Sequence, residues 1–195
     1  MHPYATDSHE RRNVILGVAL LSVVFAYTLH RGVEWVSIQL PWWVDSPSVM
    51  GFFGLLYEAF DKRLWRATPL QGIGIVKVPD LNGTWDVEGR TSFDNGKRFQ
   101  AQVVIKQTWT AMSIVLESES SISRSLSASL LVGQPEGPTL SYEYRNDPKP
   151  DALPTMHSHR GTTVLRRKST GLLEGEYYSG RDRLNYGSLT LKRRN

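Results

Sequence analysis

The chain has 195 residues, with 23 lysines and arginines against 19 aspartates and glutamates, and it contains no cysteine. The formal net charge of +4 is too small to make the whole surface a binder of nucleic acid, so we expect no DNA or RNA polymer as a partner. The absence of cysteine excludes disulfides, thiolate metal ligands and a cysteine nucleophile.

The first apolar segment, residues 13–30, carries no charge between Arg12 and Arg31. Its length approaches the ~20 residues that cross a bilayer. The segment lacks the small-x-small site at which a signal peptide is cleaved, and it lacks the polar stripe of a soluble core helix. We therefore predict a transmembrane helix here.

The second apolar segment, residues 40–60, is less uniform because it contains Asp45 and Glu58. Trp42 and Trp43 near its start are typical of the aromatic belt at a membrane interface. The pattern fits a second span or an interfacial amphipathic helix, and we adopt the span, which gives a two-helix transmembrane hairpin. A Glu58 carboxylate facing lipid is costly, so we expect it to snorkel to the interface or to contact a neighbouring hairpin in an oligomer.

Basic residues flank both apolar segments: Arg11 and Arg12 precede the first, and Lys62, Arg63 and Arg66 follow the second. Cytoplasmic flanks carry an excess of lysine and arginine. This distribution predicts that both ends of the hairpin, and hence both termini, lie in the cytoplasm.

Residues 67–80 are rich in glycine and proline and predict a linker between a membrane hairpin (residues 1–66) and a β domain (residues 81–195). Beyond the linker, apolar and polar residues alternate in about eight runs, which predicts an eight-stranded up-and-down antiparallel β-barrel. The strands are expected near residues 83–90, 98–108, 111–118, 123–132, 139–145, 160–167, 171–179 and 186–193.

An eight-stranded barrel either fills its interior with side chains or holds one small ligand there. Strand alternation puts Tyr142 and Tyr144 on one inward face, and Tyr177 and Arg181 on another. Aromatic side chains that end in an arginine indicate a ligand site at one mouth of the barrel, although Tyr142 also suits an ordinary core position. Tyr178 points the opposite way and suits external packing or an oligomer contact.

A second set of candidates follows from the same alternation. Arg124 shares its face with Leu126, which we expect to be buried, so Arg124 is predicted to point into the lumen. His157 and His159 share a face but have no cysteine or convergent carboxylate beside them, so we predict no metal site.

Three motifs near the C-terminus carry a resemblance to a known family: Tyr-x-Asn-x-Pro from Tyr144, Met156 with His159 and Gly161, and Gly-x-Tyr-x-x-Gly-Arg from Gly175. Arg160 is inserted before the glycine of the second motif. With the hairpin and the strand opening "LNGTW", these motifs resemble the two-transmembrane β-barrel effectors of bacterial CBASS antiphage operons, also called the STING-like, SMODS-associated 2TM β-strand-rich family. The resemblance extends over essentially the whole chain.

The resemblance implies a receptor in the bacterial inner membrane that binds a cyclic dinucleotide made by a cognate cyclase. On binding, such a protein oligomerises and disrupts the membrane, and the infection is aborted. Aromatic rings stack nucleobases and guanidinium groups bind phosphates. The ligand-binding residues would then be Tyr144, Tyr177, Arg181, Tyr142, Arg124, His159 and Arg160, with Glu58 and Tyr178 serving oligomerisation or the membrane.

Two other functions are compatible with the same pattern. A membrane-tethered lipocalin-like barrel would bind a lipid or another apolar ligand in a largely apolar cavity, and an assembly protein with a filled barrel would bind no small molecule. The sequence has no Gly-rich phosphate loop, nucleophile elbow or metal-ligand spacing, so we predict neither catalysis nor a cofactor.

Overall fold

The computed structural model describes residues 1–35, 42–93, 96–152, 156–180 and 184–194, with residues 42–47 described by their backbone alone. The chain divides into two compact units. The helical unit is His9–Lys77, and the β unit combines Met1–Ser8 with Val78–Asn195. The helical unit is thus inserted into the chain of the β unit.

The helical unit contains two long helices, α1 (Glu10–Trp35) and α2 (Trp42–Lys62), followed by a 3₁₀ turn (Leu64–Arg66) and a short α3 (Thr68–Gly72). Helix α1 buries one face, because its buried residues Val14, Val18, Ser22 and Ala26 recur every four positions. The rings of Phe25 and Phe52, whose centroids are 5.8 Å apart, join α1 to α2. The predicted linker, residues 67–80, contains α3.

The first apolar segment forms one long helix, as predicted. Among the described residues, α1 is the one helix that is long and apolar enough to cross a membrane. The two-span hairpin is not confirmed, and the last turns of α2 carry Glu58, Asp61 and Lys62. The Glu58 carboxylate lies 2.5 Å from the Lys62 ammonium group one turn later, and both side chains are more than half exposed.

The β unit is a closed barrel of nine strands, so the prediction of eight was wrong by one strand. The eight predicted strands are all present, with bounds within a few residues of those expected. Their neighbours in the sheet follow chain order from β2 to β9, and β9 pairs with β2. The strands are β1 (His2–Ala5), β2 (Gly83–Thr91), β3 (Arg98–Gln107), β4 (Ala111–Ser118), β5 (Ser121–Leu131), β6 (Thr139–Pro148), β7 (His159–Ser169), β8 (Leu172–Ser179) and β9 (Tyr186–Arg193).

The additional strand, β1, closes a gap between β4 and β5. These two strands pair directly only from Val115 to Glu117, opposite residues 122–124. Beyond that point β1 lies between them, antiparallel to β4 at His2–Met112 and parallel to β5 at Tyr4–Ala128. The barrel is therefore not purely antiparallel.

Side chains anchor β1 to the barrel. Tyr4 is 2% exposed, and its hydroxyl donates to the carbonyl oxygen of Trp109 at 2.8 Å. The Asp7 carboxylate accepts hydrogen bonds from the backbone N–H groups of Val132 (2.7 Å) and Gly133 (3.1 Å). Because of these contacts the first eight residues belong to the barrel, whereas the predicted hairpin domain of residues 1–66 included them.

The two ends of the barrel differ in how they are filled. At the end where β2, β4, β6 and β8 begin, tryptophan and aliphatic side chains are fully buried and close the interior. Inward side chains at the other end include tyrosine, asparagine and serine. The closed end is packed by Trp85, Trp109, Ile105, Met112, Leu130, Leu140, Leu165, Leu173 and Leu191.

A β-bulge in β5 corrects one predicted face. The register between β5 and β6 shifts between Ser125 and Ser127, which leaves Leu126 at the bulge and 41% exposed. A bulge inserts one unpaired residue and so reverses which residues face inward on either side of it. Leu130 points into the core after the bulge, as expected, but before the bulge the inward residue is Ser123 and Arg124 points outward.

Candidate ligand cavity

A cavity of about 810 Å³ opens at the polar end of the barrel. Its volume lies within the ~300–1,000 Å³ typical of small-molecule sites. The lining residues come from every strand from β2 to β9. The wall combines aromatic and polar side chains, which include Phe99, Ser123, Tyr142, Asn146, Thr163 and Tyr177. The sequence prediction of inward tyrosines at one mouth is therefore matched by the placement of Tyr142, Tyr144 and Tyr177.

Three inward glycines explain why the aromatic rings leave this space open. Each glycine lies directly opposite an aromatic residue on the neighbouring strand: Gly89 opposite Phe99, Gly161 opposite Tyr144, and Gly187 opposite Tyr177. A Cβ atom at any of these glycines would overlap the facing ring. The rings therefore lie along the barrel wall, over the glycines, instead of filling the lumen.

The floor of the cavity is polar and buried. Tyr142 and Thr163 are cross-strand partners that are 4% and 2% exposed, and their hydroxyl groups share a hydrogen bond. Burial disfavours the phenolate and raises the pKa of Tyr142 to about 12. Tyr142 therefore presents a neutral hydroxyl to the cavity at physiological pH.

We expect this buried phenol to make the barrel less stable in alkali. Below pH 10, Tyr142 is protonated in both the folded and the unfolded chain, but between about pH 10 and 12 only the folded chain keeps the proton. The free energy of unfolding should therefore fall across this range, by up to roughly 2–3 kcal/mol from this group alone, because the folded chain binds more protons than the unfolded chain there.

Urea unfolding at pH 9 and 11.5 checks this fall in stability. Tyr142→Phe should lose less stability than the wild type between the two pH values, because it has no phenol to titrate. An equal loss in both proteins would contradict the prediction.

One side wall carries a chain of polar groups. The Ser123 hydroxyl donates to Oδ1 of Asn146 at 2.7 Å, and Asn146 is 4% exposed. His159 is the cross-strand partner of Asn146, lines the same cavity and donates from Nδ1 to the carbonyl oxygen of His157 at 3.0 Å. These groups can recognise hydrogen-bonding atoms of a ligand.

The positive charge at the rim of the cavity comes from two residues that the sequence prediction missed. Lys97 and Arg98, at the start of β3, line the cavity and are exposed. The sequence signal that could have identified them is a pair of adjacent basic residues where a predicted strand begins. Arg181, which was predicted to point into the mouth, lies outside the described residues, as does Arg183.

Two predicted ligand-binding arginines lie on the outer surface. Arg124 approaches Asp147 at 3.7 Å, and Arg160 approaches Glu143 at 3.7 Å, with both guanidinium groups largely exposed. The bulge in β5 turns Arg124 outward, and Arg160 alternates with the inward residues His159 and Gly161. Neither arginine lines the cavity.

The remaining predicted residues are placed as follows. Tyr178 is 48% exposed on the outer face beside Glu176, and a hydrogen bond with that carboxylate raises the pKa of Tyr178. Asn146 and Thr163 were missed as cavity residues, although Asn146 continues the inward alternation of Tyr142 and Tyr144. Within the described part of the chain, no group of three or more histidine, cysteine, aspartate or glutamate side chains could hold a metal ion.

Comparison with known proteins identifies both units. Residues 76–193 match the family described as "Cap15, cyclic dinucleotide receptor domain", and residues 12–66 match "Cap15, TM helices". The chain is 31% identical over 189 residues to "CD-NTase-associated protein 15" of Yersinia aleksiciae, an alignment that covers 93% of this chain and 89% of the relative.

Two solved structures are also similar to this chain. A de novo designed fluorescence-activating β-barrel is 22% identical with a TM-score of 0.40, covering 58% of this chain and 94% of the design. The structure of EF1p2_mFAP2b bound to DFHBI is 15% identical with a TM-score of 0.42, covering 67% of this chain and 98% of that chain. These scores carry no argument about function. The family matches and the relative from Yersinia aleksiciae show that this chain belongs to the Cap15 family, in which TM helices accompany a cyclic dinucleotide receptor domain.

Proposed function

We propose that this protein is a membrane-anchored receptor whose barrel cavity binds a cyclic dinucleotide made by a cognate cyclase. The observation that carries the proposal is the open, aromatic and polar cavity of about 810 Å³ within the part of the chain that matches the receptor domain. A cyclic dinucleotide has two planar bases and two anionic phosphates. The cavity offers rings to the bases, and its rim offers cations to the phosphates.

Each ligand group has a proposed partner. Tyr144 and Tyr177 lie against the wall over glycines, so their faces are available to stack bases. Lys97 and Arg98 at the rim suit the phosphates, and Arg181 keeps its predicted role there. Tyr142 and His159 contribute hydrogen bonds from the floor and side wall. Arg124 and Arg160 are not part of the proposed site, because they lie outside the barrel.

The course of the chain supports two membrane crossings. Helices α1 and α2 lie between β1 and β2, and both of these strands belong to one barrel. A folded barrel with polar side chains on its outer face stays on one side of the bilayer, so the intervening segment has to cross an even number of times. If α1 spans the inner membrane, the chain returns through α2. The basic flanks then favour a cytoplasmic location for both termini.

Membrane disruption is the proposed output of the receptor. We propose that ligand binding promotes oligomerisation and that the assembled helical units break the inner membrane, which ends the infection. Tyr178 is a proposed contact between barrels because its ring is exposed on the outer face. Glu58 is paired with Lys62 within its own helix, which favours the snorkelling alternative for that carboxylate.

Binding of cyclic dinucleotides by the full-length protein in detergent tests the proposal. Isothermal titration should detect binding, and Tyr177→Ala should weaken it by roughly 1–3 kcal/mol through loss of one stacked base. Tyr186→Ala is the matched control, because Tyr186 is a 61% exposed tyrosine on the outer face of the next strand. If every cyclic dinucleotide fails while a fatty acid binds, the lipocalin-like alternative is correct.

A further inference from the structure

In the part of the chain that the structure describes, the side-chain amide of Asn146 has a hydrogen-bond partner for its oxygen but not for its nitrogen. Its side chain is 4% exposed and lines the cavity, and its Oδ1 atom accepts the hydroxyl proton of Ser123 at 2.7 Å. The Nδ2 group, which carries two hydrogens, donates to no acceptor among the described residues. The Nδ2 atom is not among the fully buried donors that lack a partner within the described residues, so the cavity is where water or a ligand can accept its hydrogens. The amide is therefore poised to donate into the cavity.

The surroundings of Asn146 favour a nucleobase as its acceptor. Tyr144, two residues earlier on the same inward face, offers a ring on which a base can stack. The cations that suit a phosphate, Lys97 and Arg98, lie where β3 begins, and β3 is separated from β6 by β4 and β5. A base stacked on Tyr144 would present its edge, not its face, to the neighbouring amide.

We propose that Asn146, oriented by Ser123, is a specificity-determining residue that selects a base whose edge presents a carbonyl oxygen. This inference rests on the proposed function. Guanine O6 and uracil O4 present such an oxygen, and at the corresponding position adenine presents its exocyclic amino group. The amide would meet adenine donor to donor there and would have to reach a ring nitrogen instead. A site built to complete a hydrogen bond discriminates strongly against a base that leaves the buried group unpaired.

The test compares cyclic diuridylate, cyclic diguanylate and cyclic diadenylate by titration into the full-length protein in detergent. The wild type should bind at least one of the first two roughly tenfold more tightly than cyclic diadenylate. Asn146→Asp replaces the donor by an acceptor of the same shape, so the preference should fall at least tenfold or reverse. Ser123→Ala removes the hydroxyl that donates to Oδ1. The ratio of affinities should then fall towards one, because the amide can turn its oxygen to the ligand.

Asn185→Asp is the matched control, since Asn185 also lines the cavity and the change adds the same negative charge. Asn185→Asp should weaken the binding of all three ligands by the same factor, so the ratios of their affinities should not change. Thermal unfolding of each variant separates lost contacts from lost folding. If Asn146→Asp weakens the three ligands equally, the amide contacts a phosphate or sugar and the inference is wrong. If the wild type binds none of them, the proposed function itself fails, and this inference fails with it.

Discussion

Removing the first strand should destabilise the barrel by about 3 kcal/mol or more, although β1 contributes only four residues. Tyr4 is 2% exposed and packs among buried residues of the closed end, so its loss leaves a cavity there. Strands β4 and β5, which β1 separates, would also lose their pairing with β1 at residues 111–112 and 128–129. Unpaired strand edges expose backbone groups and promote aggregation.

Urea unfolding of the full-length protein in detergent measures this effect. We would compare the wild type with a variant in which residues 1–8 are replaced by a glycine-serine segment of equal length. Tyr4→Phe is the milder control, because it keeps the ring and removes the hydrogen bond to the carbonyl oxygen of Trp109, at a cost of about 1 kcal/mol. An unfolding midpoint unchanged by the glycine-serine replacement would show that β1 does not contribute to the stability of the barrel.

Strand β1 also shows what the sequence could not predict. Strands β2 to β9 each alternate apolar and polar residues over eight or more positions, and their bounds were predicted to within a few residues. The segment His2–Ala5 is too short for a periodic signal and contains a proline, which normally argues against a strand. It pairs because β4 and β5 diverge, and that divergence is a tertiary feature without a local sequence pattern.

The residues that face the cavity could be predicted where a strand alternates regularly. They could not be predicted where a bulge interrupts the alternation. Tyr142, Tyr144 and Tyr177 were predicted to face inward because their strands are regular. Arg124 was placed on the wrong face because one unpaired residue, Leu126, reverses the alternation. The bulge makes Ser123 an inward residue, and so creates the contact with Asn146 that the sequence did not suggest.

A methyl group at Gly89 should close the cavity by displacing Phe99. The atoms nearest to a Cβ at Gly89 all belong to the Phe99 ring, so Gly89→Ala moves a side chain and not the backbone. A Cβ at Gly161 or Gly187 would also meet backbone oxygens, which makes those positions unsuitable for the same test. The displaced ring has to turn into the lumen, where it would occupy space needed by the ligand.

We therefore expect Gly89→Ala to weaken cyclic dinucleotide binding by more than tenfold, with a loss of stability of about 1–3 kcal/mol. Phe99→Ala alone should weaken binding less, since it enlarges the cavity. In the Gly89→Ala, Phe99→Ala double variant the alanine at residue 89 has no ring to displace, so affinity should return to that of Phe99→Ala. This double-mutant cycle isolates the contact between the two residues, because a binding loss that acts through the ring disappears when the ring is absent. If the double variant binds as weakly as Gly89→Ala, the glycine does not keep the cavity open by accommodating Phe99, and the explanation for the open lumen has to be sought elsewhere in the barrel.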